Sequence, residues 1–216
     1  IAVHPGDKKI STSTGELDYD FLVLAHGAAT NYFGMPDIAQ NAFSMKSVSE
    51  ALLLRNTLLQ NYEQALITGN KKEKAALLNI VIVGGGPTGV ELAGAIAEMK
   101  TQILPRDYPE LNFNNMNIHL IEAAPRLLNG MSGKSAARVK SYLKTLRVKV
   151  HNGISVKSYD GYAVTLSNHT TLYSHCLIWA AGIKGKPLKG VPAENVLSNH
   201  SIEVDLMSND KQAFLN

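Results

Sequence analysis

One glycine-rich turn constrains the fold of this chain more than any other feature. The sequence Gly84-Gly85-Gly86-Pro87-Thr88-Gly89 follows an apolar, β-rich run, Leu77–Val83, and precedes a stretch of helical character that reaches about Thr101. A strand that turns sharply into a helix with this glycine spacing is the first half of a βαβ unit. The sequence therefore predicts a parallel sheet with helices packed against it.

The three glycines of the G-x-G-x-x-G pattern have separate physical roles. Gly84 permits a tight turn, Gly86 lets a phosphate approach the backbone because it has no Cβ, and Gly89 lets the helix and strand pack closely. The helix that follows presents unpaired N–H groups and a partial positive charge. We therefore predict that this turn binds the pyrophosphate of a dinucleotide. The alternative is a βα turn that binds nothing.

Glu122 supplies the second half of the dinucleotide pattern. It ends the next predicted strand, Ile118–Ile121, where a carboxylate can accept hydrogen bonds from both hydroxyls of an adenine ribose, which favours NAD(H) over NADP(H). Its separation from Gly86 along the sequence exceeds the usual spacing of about 20 residues. We attribute the excess to a proline-containing insertion over 102–117. Arg126 is a weak indication of NADP(H), and the alternative for Glu122 is a solvated strand end.

A long helix precedes the glycine turn. Ser47 and Glu50 have the spacing of a capping box, and apolar residues then recur at helical period to Leu66. Gly69-Asn70 is typical of the end of a helix. The charged run Lys71–Lys74 that follows is predicted to be a solvated linker.

The remaining segments predict more strands and one further helix. Tyr19–Ala25 is apolar apart from Asp20 and has the length of a buried strand, so a strand is predicted there. Ser132 is a candidate cap for a helix that reaches about Arg147, and hairpins are expected over 154–175, with Asp160-Gly161 as a turn. We therefore predict an α/β, Rossmann-like fold in which a parallel sheet with helices is joined by an antiparallel β-meander.

Composition excludes several classes of protein. The 216 residues are 45% hydrophobic and carry a formal charge of +3, with no block of like charges that would indicate a nucleic acid partner. The single cysteine, Cys176, excludes an intrachain disulfide and a CxxC redox pair, and is interpreted as an inert packing thiol in a reduced, cytoplasmic setting. No apolar run reaches the roughly 18 residues of a membrane span. The histidines show no metal-ligand spacing, so no metal site is predicted.

Five stretches together resemble a known family. Val81–Gly94 resembles the NAD-binding turn of two-dinucleotide flavoprotein oxidoreductases, and among these it is most similar to the type II NADH dehydrogenases (NADH:quinone reductases). Leu104–Pro109 resembles the insertion of that group, Leu120–Ala123 its ribose-binding strand end, and Trp179–Ile183 the segment that passes the nicotinamide. Tyr19–Gly27 resembles the strand that leads to a turn beside the flavin.

The resemblance implies a role for each matching position. Glu122 would bind the adenine ribose, and Ala181 and Gly182 would lie by the nicotinamide. Glu91 would face the nicotinamide or a flavin as a candidate catalytic residue; its alternative role is to complement the dipole in the first turn of the helix. The pyrophosphate would be held by Gly84, Gly85, Gly86, Pro87, Thr88 and Gly89. Gly27 would lie on the FAD side, where the preceding residue, His26, replaces the usual Thr.

The resemblance also implies a division of the chain. Residues 1–36 would be part of an FAD-binding domain, 37–181 the NAD(H)-binding domain, and 182–216 a segment that returns to the FAD-binding domain. The family's first FAD turn would precede Ile1, and its second flavin motif would follow Asn216. We therefore expect this chain by itself to bind NADH but to lack tightly bound FAD and activity.

In the implied reaction, the parent protein passes hydride from NADH to FAD and then to a quinone. It would act as a peripheral protein on the inner face of the cell membrane, attached through a C-terminal part outside this chain, and a homodimer is one expected state. Two alternatives remain open. One is a related FAD-dependent NAD(P)H reductase with another acceptor, such as a ferredoxin or rubredoxin. The other is a binding module that senses NADH.

Overall fold

The computed structural model describes residues 1–198 and 200–202. By its contacts the chain divides into two compact units, one formed by Tyr32–Gly182 and the other by Ile1–Asn31 with the described residues from Ile183 on. The larger unit contains a four-stranded parallel sheet. The smaller unit contains short antiparallel pairings.

The strands and helices follow one another in the α/β order that the sequence predicts. The strands are β1 (Ala2–His4), β2 (Lys9–Thr12), β3 (Gly15–Asp18), β4 (Ala28–Thr30), β5 (Ile80–Val83), β6 (Ile118–Glu122), β7 (Lys149–Asn152), β8 (Val156–Tyr159), β9 (Ala163–Leu166), β10 (Thr171–Tyr173), β11 (Cys176–Trp179) and β12 (Ile183–Gly185). The helices are α1 (Pro36–Asn41), α2 (Val48–Ile67), α3 (Lys71–Leu78), α4 (Pro87–Gln102), α5 (Leu104–Asp107) and α6 (Gly133–Thr145).

The parallel sheet has the strand order β11-β5-β6-β7. The strand β5 lies between two neighbours, with Val83 opposite Trp179 on one side and Ile121 on the other. All three pairings in this sheet are parallel, and the antiparallel order β10-β9-β8 forms a separate meander. The predicted fold class, a Rossmann-like parallel sheet with helices and a β-meander, is therefore confirmed.

Each face of the parallel sheet buries a different layer. Ile80 and Ile82 of β5 pack with residues of α2, α3, α4 and α6 in one apolar cluster. Val81 and Val83, which alternate with them along the strand, pack with the meander and with Ile38 of α1 in a second cluster. Successive side chains of a strand point to opposite faces, so a central strand that is covered on both sides must be apolar throughout.

Local signals place the long helix where the sequence predicts it. The Ser47 hydroxyl accepts a hydrogen bond from the Glu50 amide at 3.2 Å, and the Glu50 carboxylate accepts one from the Ser47 amide at 2.8 Å. This is the predicted capping box. The Ser44 hydroxyl also donates to Glu50, and this hydrogen bond, with those from the backbone, lowers the pKa of the carboxyl group.

The predicted linker after α2 is wrong, because Lys71–Lys74 forms the start of α3. The Asn70 side chain caps this helix by accepting hydrogen bonds from the amides of Lys72 and Glu73, at 3.0 and 3.3 Å. The apolar residues at the end of α3 are buried in the core, and that burial stabilises a helix whose first turn is charged. The sequence carried both signals, an Asn cap and a following apolar run.

The predicted strand over Tyr19–Ala25 is also wrong. The segment has no strand assignment, and Phe21 and Val23 are 85% and 72% exposed. A strand is stable only when a neighbour satisfies its backbone hydrogen bonds. None of the described residues pairs with this segment along a strand.

Candidate cofactor site

The carboxyl ends of the parallel strands place three predicted site segments at one edge of the sheet. The glycine turn follows β5, Glu122 ends β6, and Ala180–Gly182 follow β11. Adjacent strands lie about 4.8 Å apart, so these segments are neighbours. Direct bonds join them: the Ala180 amide donates to the Val83 carbonyl at 2.7 Å, and the Gly84 amide donates to the Ile121 carbonyl at 2.8 Å. Ligands of open α/β sheets bind at this edge.

At two positions of the turn, the surrounding atoms leave room only for glycine. Gly84 has φ +112°, a backbone conformation that L residues rarely adopt, and a Cβ there would lie 2.4 Å from the Ala180 carbonyl oxygen. A Cβ at Gly89 would lie 1.8 Å from the carbonyl oxygen of Gly84. In both cases the opposing atom is backbone, so the turn and the start of α4 can pack this closely only with glycine.

Gly86 faces open space instead. It is the N-cap of α4, and apart from its two chain neighbours no described residue has an atom within 4 Å of the position that a Cβ would take. No side chain caps this end of the 16-residue helix, and its first turn has no acidic residue. The first amides of a helix lack partners within the helix. The positive end of α4 is therefore available to an anion in the space beside Gly86.

Glu122 is tied to the glycine turn by its carboxylate. It accepts hydrogen bonds from the Gly85 amide and, at 2.7 Å, from the Ala124 amide. The side chain is half-buried, so it is not simply a solvated strand end. A carboxylate has about four lone-pair sites. Two backbone bonds therefore fix its orientation and leave capacity to accept hydroxyl donors.

Arg126, the weak indication of NADP(H), is bonded to the loop that follows it. Its guanidinium donates to the carbonyls of Asn129 and Met131, at 2.9 and 3.2 Å, and to the Asn129 side chain at 3.2 Å. A ribose 2′-phosphate would have to compete with these bonds.

One predicted alternative for Glu91 is wrong. Because α4 begins at Pro87 and not at Gly89, Glu91 lies beyond the first turn, where the dipole effect is greatest. The side chain is exposed, and among the described residues its carboxylate has no hydrogen-bonding partner. A role near the nicotinamide stays a prediction.

Aromatic residues border the segment that follows β11. Trp179 is buried, and its ring centroid lies 5.9 Å from that of Tyr32 and 6.4 Å from that of Phe33. A Cβ at Gly182 would lie 3.1 Å from Cζ of Phe33. Sequence reasoning missed Tyr32 and Phe33; the only signal for them is an aromatic pair directly before Gly34.

Gly27 belongs to the smaller unit, where it has φ +77°. It lines a cavity with residues of the same unit, and the adjacent His26 ring is hydrogen-bonded to the Lys186 carbonyl oxygen at 3.1 Å. The predicted return segment 182–216 lies outside the described residues at 199 and from 203 on. The FAD role of Gly27 stays a prediction.

Other candidate groups lie away from the carboxyl edge. Cys176 is fully buried, and burial raises the pKa of its thiol to about 12, as suits a packing residue.

Within 1–198 and 200–202, no three His, Cys, Asp or Glu side chains come close enough to hold a metal ion. None of the helices described there is long and apolar enough to cross a bilayer.

Similar proteins agree with the motif pattern. Type II NADH:quinone oxidoreductase Ndh of Mycobacterium tuberculosis is 34% identical over 179 residues, which covers 81% of this chain and 39% of that protein. External alternative NAD(P)H-ubiquinone oxidoreductase B3, mitochondrial, of Arabidopsis thaliana is 29% identical over 202 residues, or 86% of this chain and 35% of that protein. The predicted resemblance to type II NADH dehydrogenases is therefore confirmed.

A solved structure shows the same fold. The structure of NDH2 from Plasmodium falciparum in complex with NADH matches with a TM-score of 0.76 at 26% identity, over 86% of this chain and 40% of that one. This chain thus spans less than half the length of the proteins it matches. The model of the family described as pyridine nucleotide-disulphide oxidoreductase matches residues 1–211. The chain therefore belongs to the pyridine nucleotide-disulphide oxidoreductase family.

Proposed function

We propose that this chain binds NAD(H) at the carboxyl edge of its parallel sheet, with a preference for NADH over NADPH. The observation that carries the proposal is the uncapped N-terminus of α4, which opens beside Gly86 next to a carboxylate that backbone amides hold in place. The helix end fits a pyrophosphate, and Glu122 fits a ribose diol. The first residues of α4 would bind the phosphates through backbone amides.

The bound nicotinamide would supply the hydride, and the residues of the chain would bind and orient the nicotinamide. Ala181 and Gly182 would lie by the nicotinamide, since they follow the strand on the far side of the glycine turn from Glu122. Glu91 is exposed on α4 and has no competing partner among the described residues. Its carboxylate is therefore available to act near the reacting ring.

Calorimetric titration of the chain with NADH and with NADPH tests this proposal. We expect tighter binding of NADH, because a 2′-phosphate would place negative charge against the Glu122 carboxylate. Glu122→Gln should narrow that preference, whereas Glu110→Gln, an exposed carboxylate outside the site, should leave it unchanged. Equal affinities for the two cofactors in the unaltered chain would contradict the role of Glu122, and no binding of either would contradict the proposal as a whole.

For the whole protein we propose an FAD-dependent NADH:quinone oxidoreductase. The support is similarity to proteins named as NADH:quinone and NAD(P)H-ubiquinone oxidoreductases. The part of the FAD site assigned to this chain is the smaller unit around Gly27, within the predicted ranges 1–36 and 182–216. Because quinones of respiratory chains dissolve in the bilayer, we also propose that the protein works at the inner face of the cell membrane.

The FAD assignment has its own test. Because this chain by itself is not expected to hold FAD tightly, flavin fluorescence is measured as an excess of the chain is added to FAD, with Gly27→Val as the variant. Since Gly27 has a positive φ, valine would distort the backbone at that position. Binding that is lost in the variant supports the assignment. Binding that is equal in both proteins contradicts it.

A further inference from the structure

The order of the strands gives the proposed cofactor site a direction. Glu122 ends β6, the glycine turn follows β5, and Gly182 follows β11, which is the last strand on that side of the parallel sheet. If the adenine ribose lies at Glu122 and the pyrophosphate at Gly86, the nicotinamide extends past β11. This step rests on the proposed function. The residues that border β11 are therefore candidates to contact the nicotinamide end.

Phe33 lies at that border. Its Cζ and Cε2 atoms are 3.1 and 3.6 Å from the position that a Cβ of Gly182 would take. Its ring tilts by 56° to the ring of Trp179, which also packs with Tyr32. All four residues belong to the larger unit. The Phe33 ring is therefore next to the segment that follows β11.

The backbone at Phe33 is unusual for a large side chain. It has φ +50°, and Gly34 follows with φ +75°. Residues other than glycine, asparagine and aspartate seldom adopt this left-handed conformation, because the Cβ approaches the following carbonyl oxygen. The residue is nevertheless 59% exposed. A strained backbone of this kind often occurs where a residue contacts a ligand.

We propose that Phe33 is a cofactor-contacting residue whose ring packs against the nicotinamide end of NADH. Its exposed aromatic face offers an apolar surface to a flat heterocycle, and offset or tilted packing of such rings is favourable. Gly182 lets the phenyl ring lie close to the backbone, since a Cβ there would be 3.1 Å from Cζ of Phe33. Phe33 would then contribute to the binding of the nicotinamide. It would not affect the binding of the rest of the dinucleotide.

Comparison of NADH with ADP-ribose, which lacks the nicotinamide, tests this contact. In Phe33→Gly we expect the affinity for NADH to fall about two- to tenfold, the range expected for an aromatic pair. Affinity for ADP-ribose should stay unchanged. Glycine tolerates a positive φ, so this variant removes the ring without straining the backbone. Phe33→Tyr keeps the aromatic face and should bind NADH as the unaltered chain does.

Phe21→Gly is the matched control, because this phenylalanine is 85% exposed and lies in the other unit. It should change neither affinity. Trp179 is the single tryptophan of the chain, so quenching of its emission by bound NADH gives a second readout near the proposed contact.

The outcomes separate this inference from the proposed function. Failure of the unaltered chain to bind NADH and ADP-ribose would contradict the function itself. Binding of both by the unaltered chain, with no selective loss of NADH affinity in Phe33→Gly, would overturn the role of Phe33 alone. An equal loss for both ligands would also overturn it, since it would indicate a general structural effect.

Discussion

Ile80–Val83 and Tyr19–Ala25 both lead towards a glycine, and both are apolar apart from Asp20 in the second, but they have different structures. In the first, no residue is more than 6% exposed, and a strand pairs with it on each side. In the second, Phe21 and Val23 are exposed while Leu22 and Leu24 are half-buried. The difference is the presence of neighbours, because apolar composition cannot replace the missing backbone hydrogen bonds. An apolar run thus becomes a strand only where the fold supplies a partner.

Truncation of one side chain in each segment tests this comparison most directly. Ile82→Ala should lower the free energy of unfolding by about 2–5 kcal/mol, because it leaves a cavity in a fully buried strand. Val23→Ala should change it by less than about 0.5 kcal/mol, as is usual for an exposed site. Urea denaturation of both variants measures the difference. Similar losses would show that Tyr19–Ala25 is as well packed as β5.

Gly89→Ala tests whether the close packing of α4 on the glycine turn stabilises the end of β5. The added Cβ would overlap the Gly84 carbonyl oxygen, so we expect a loss of about 3 kcal/mol in the free energy of unfolding. Gly94→Ala is the matched control in the same helix. There a Cβ meets no atom within 4 Å outside the backbone of its own helix turn, and the higher helix propensity of alanine should add up to about 1 kcal/mol to the free energy of unfolding. Equal effects in thermal unfolding would contradict the close packing of α4 on the turn.

Acidification tests the packing of β6, the strand that pairs with β5 on the side opposite β11. His119 of β6 is 7% exposed, and its ring is hydrogen-bonded at 3.0 Å to that of His151 on β7. Burial, with His151 and the positive charge of Lys149, lowers the pKa of His119 to about 4. Burial and Lys149 also lower the pKa of His151.

A lowered histidine pKa means that the unfolded chain binds the proton more readily. Stability from His119 is therefore complete above the ordinary pKa near 6.5 and is lost as the pH falls towards 4, by up to about 3 kcal/mol. Urea denaturation at pH 7 and pH 5 should show this fall, and His119→Gln should reduce it. His169→Gln, on an exposed turn, is the control. An unchanged pH slope in His119→Gln would contradict the assignment.

The smallest loss of unfolding free energy is expected at the cap of α2, which depends only on contacts between residues close together in the sequence. Ser47→Ala removes the cap of α2 and should cost about 1 kcal/mol of unfolding free energy. Ser49→Ala, on an exposed position in the first turn of the same helix, should be close to neutral. Denaturation curves for the pair measure the cap separately from sheet pairing. A loss as large as that of Ile82→Ala would mean that the cap also supports the sheet.

Features with local causes were predictable. The capping box at Ser47, the glycine turn and the helix from Ser132 follow from residues close together in the chain. The helix over Lys71–Lys74 has a local cause too, since the Asn70 side chain caps its first turn. The contacts of Phe33 and the hydrogen bond between His119 and His151 could not be predicted, because each joins residues far apart in sequence.

By itself, the sequence determined the βαβ unit and the position of its phosphate-binding turn. The reason is that glycine spacing and the flanking apolar periods act over only a few residues. Tertiary structure decided which apolar runs pair as strands, because pairing requires a neighbour. It also decided that Glu122 is held by the Gly85 and Ala124 amides and that Phe33 borders Gly182. The Gly85–Glu122 contact exists because β5 and β6 bring distant segments to one edge of the sheet, and the contact of Phe33 with Gly182 likewise joins residues far apart in the sequence.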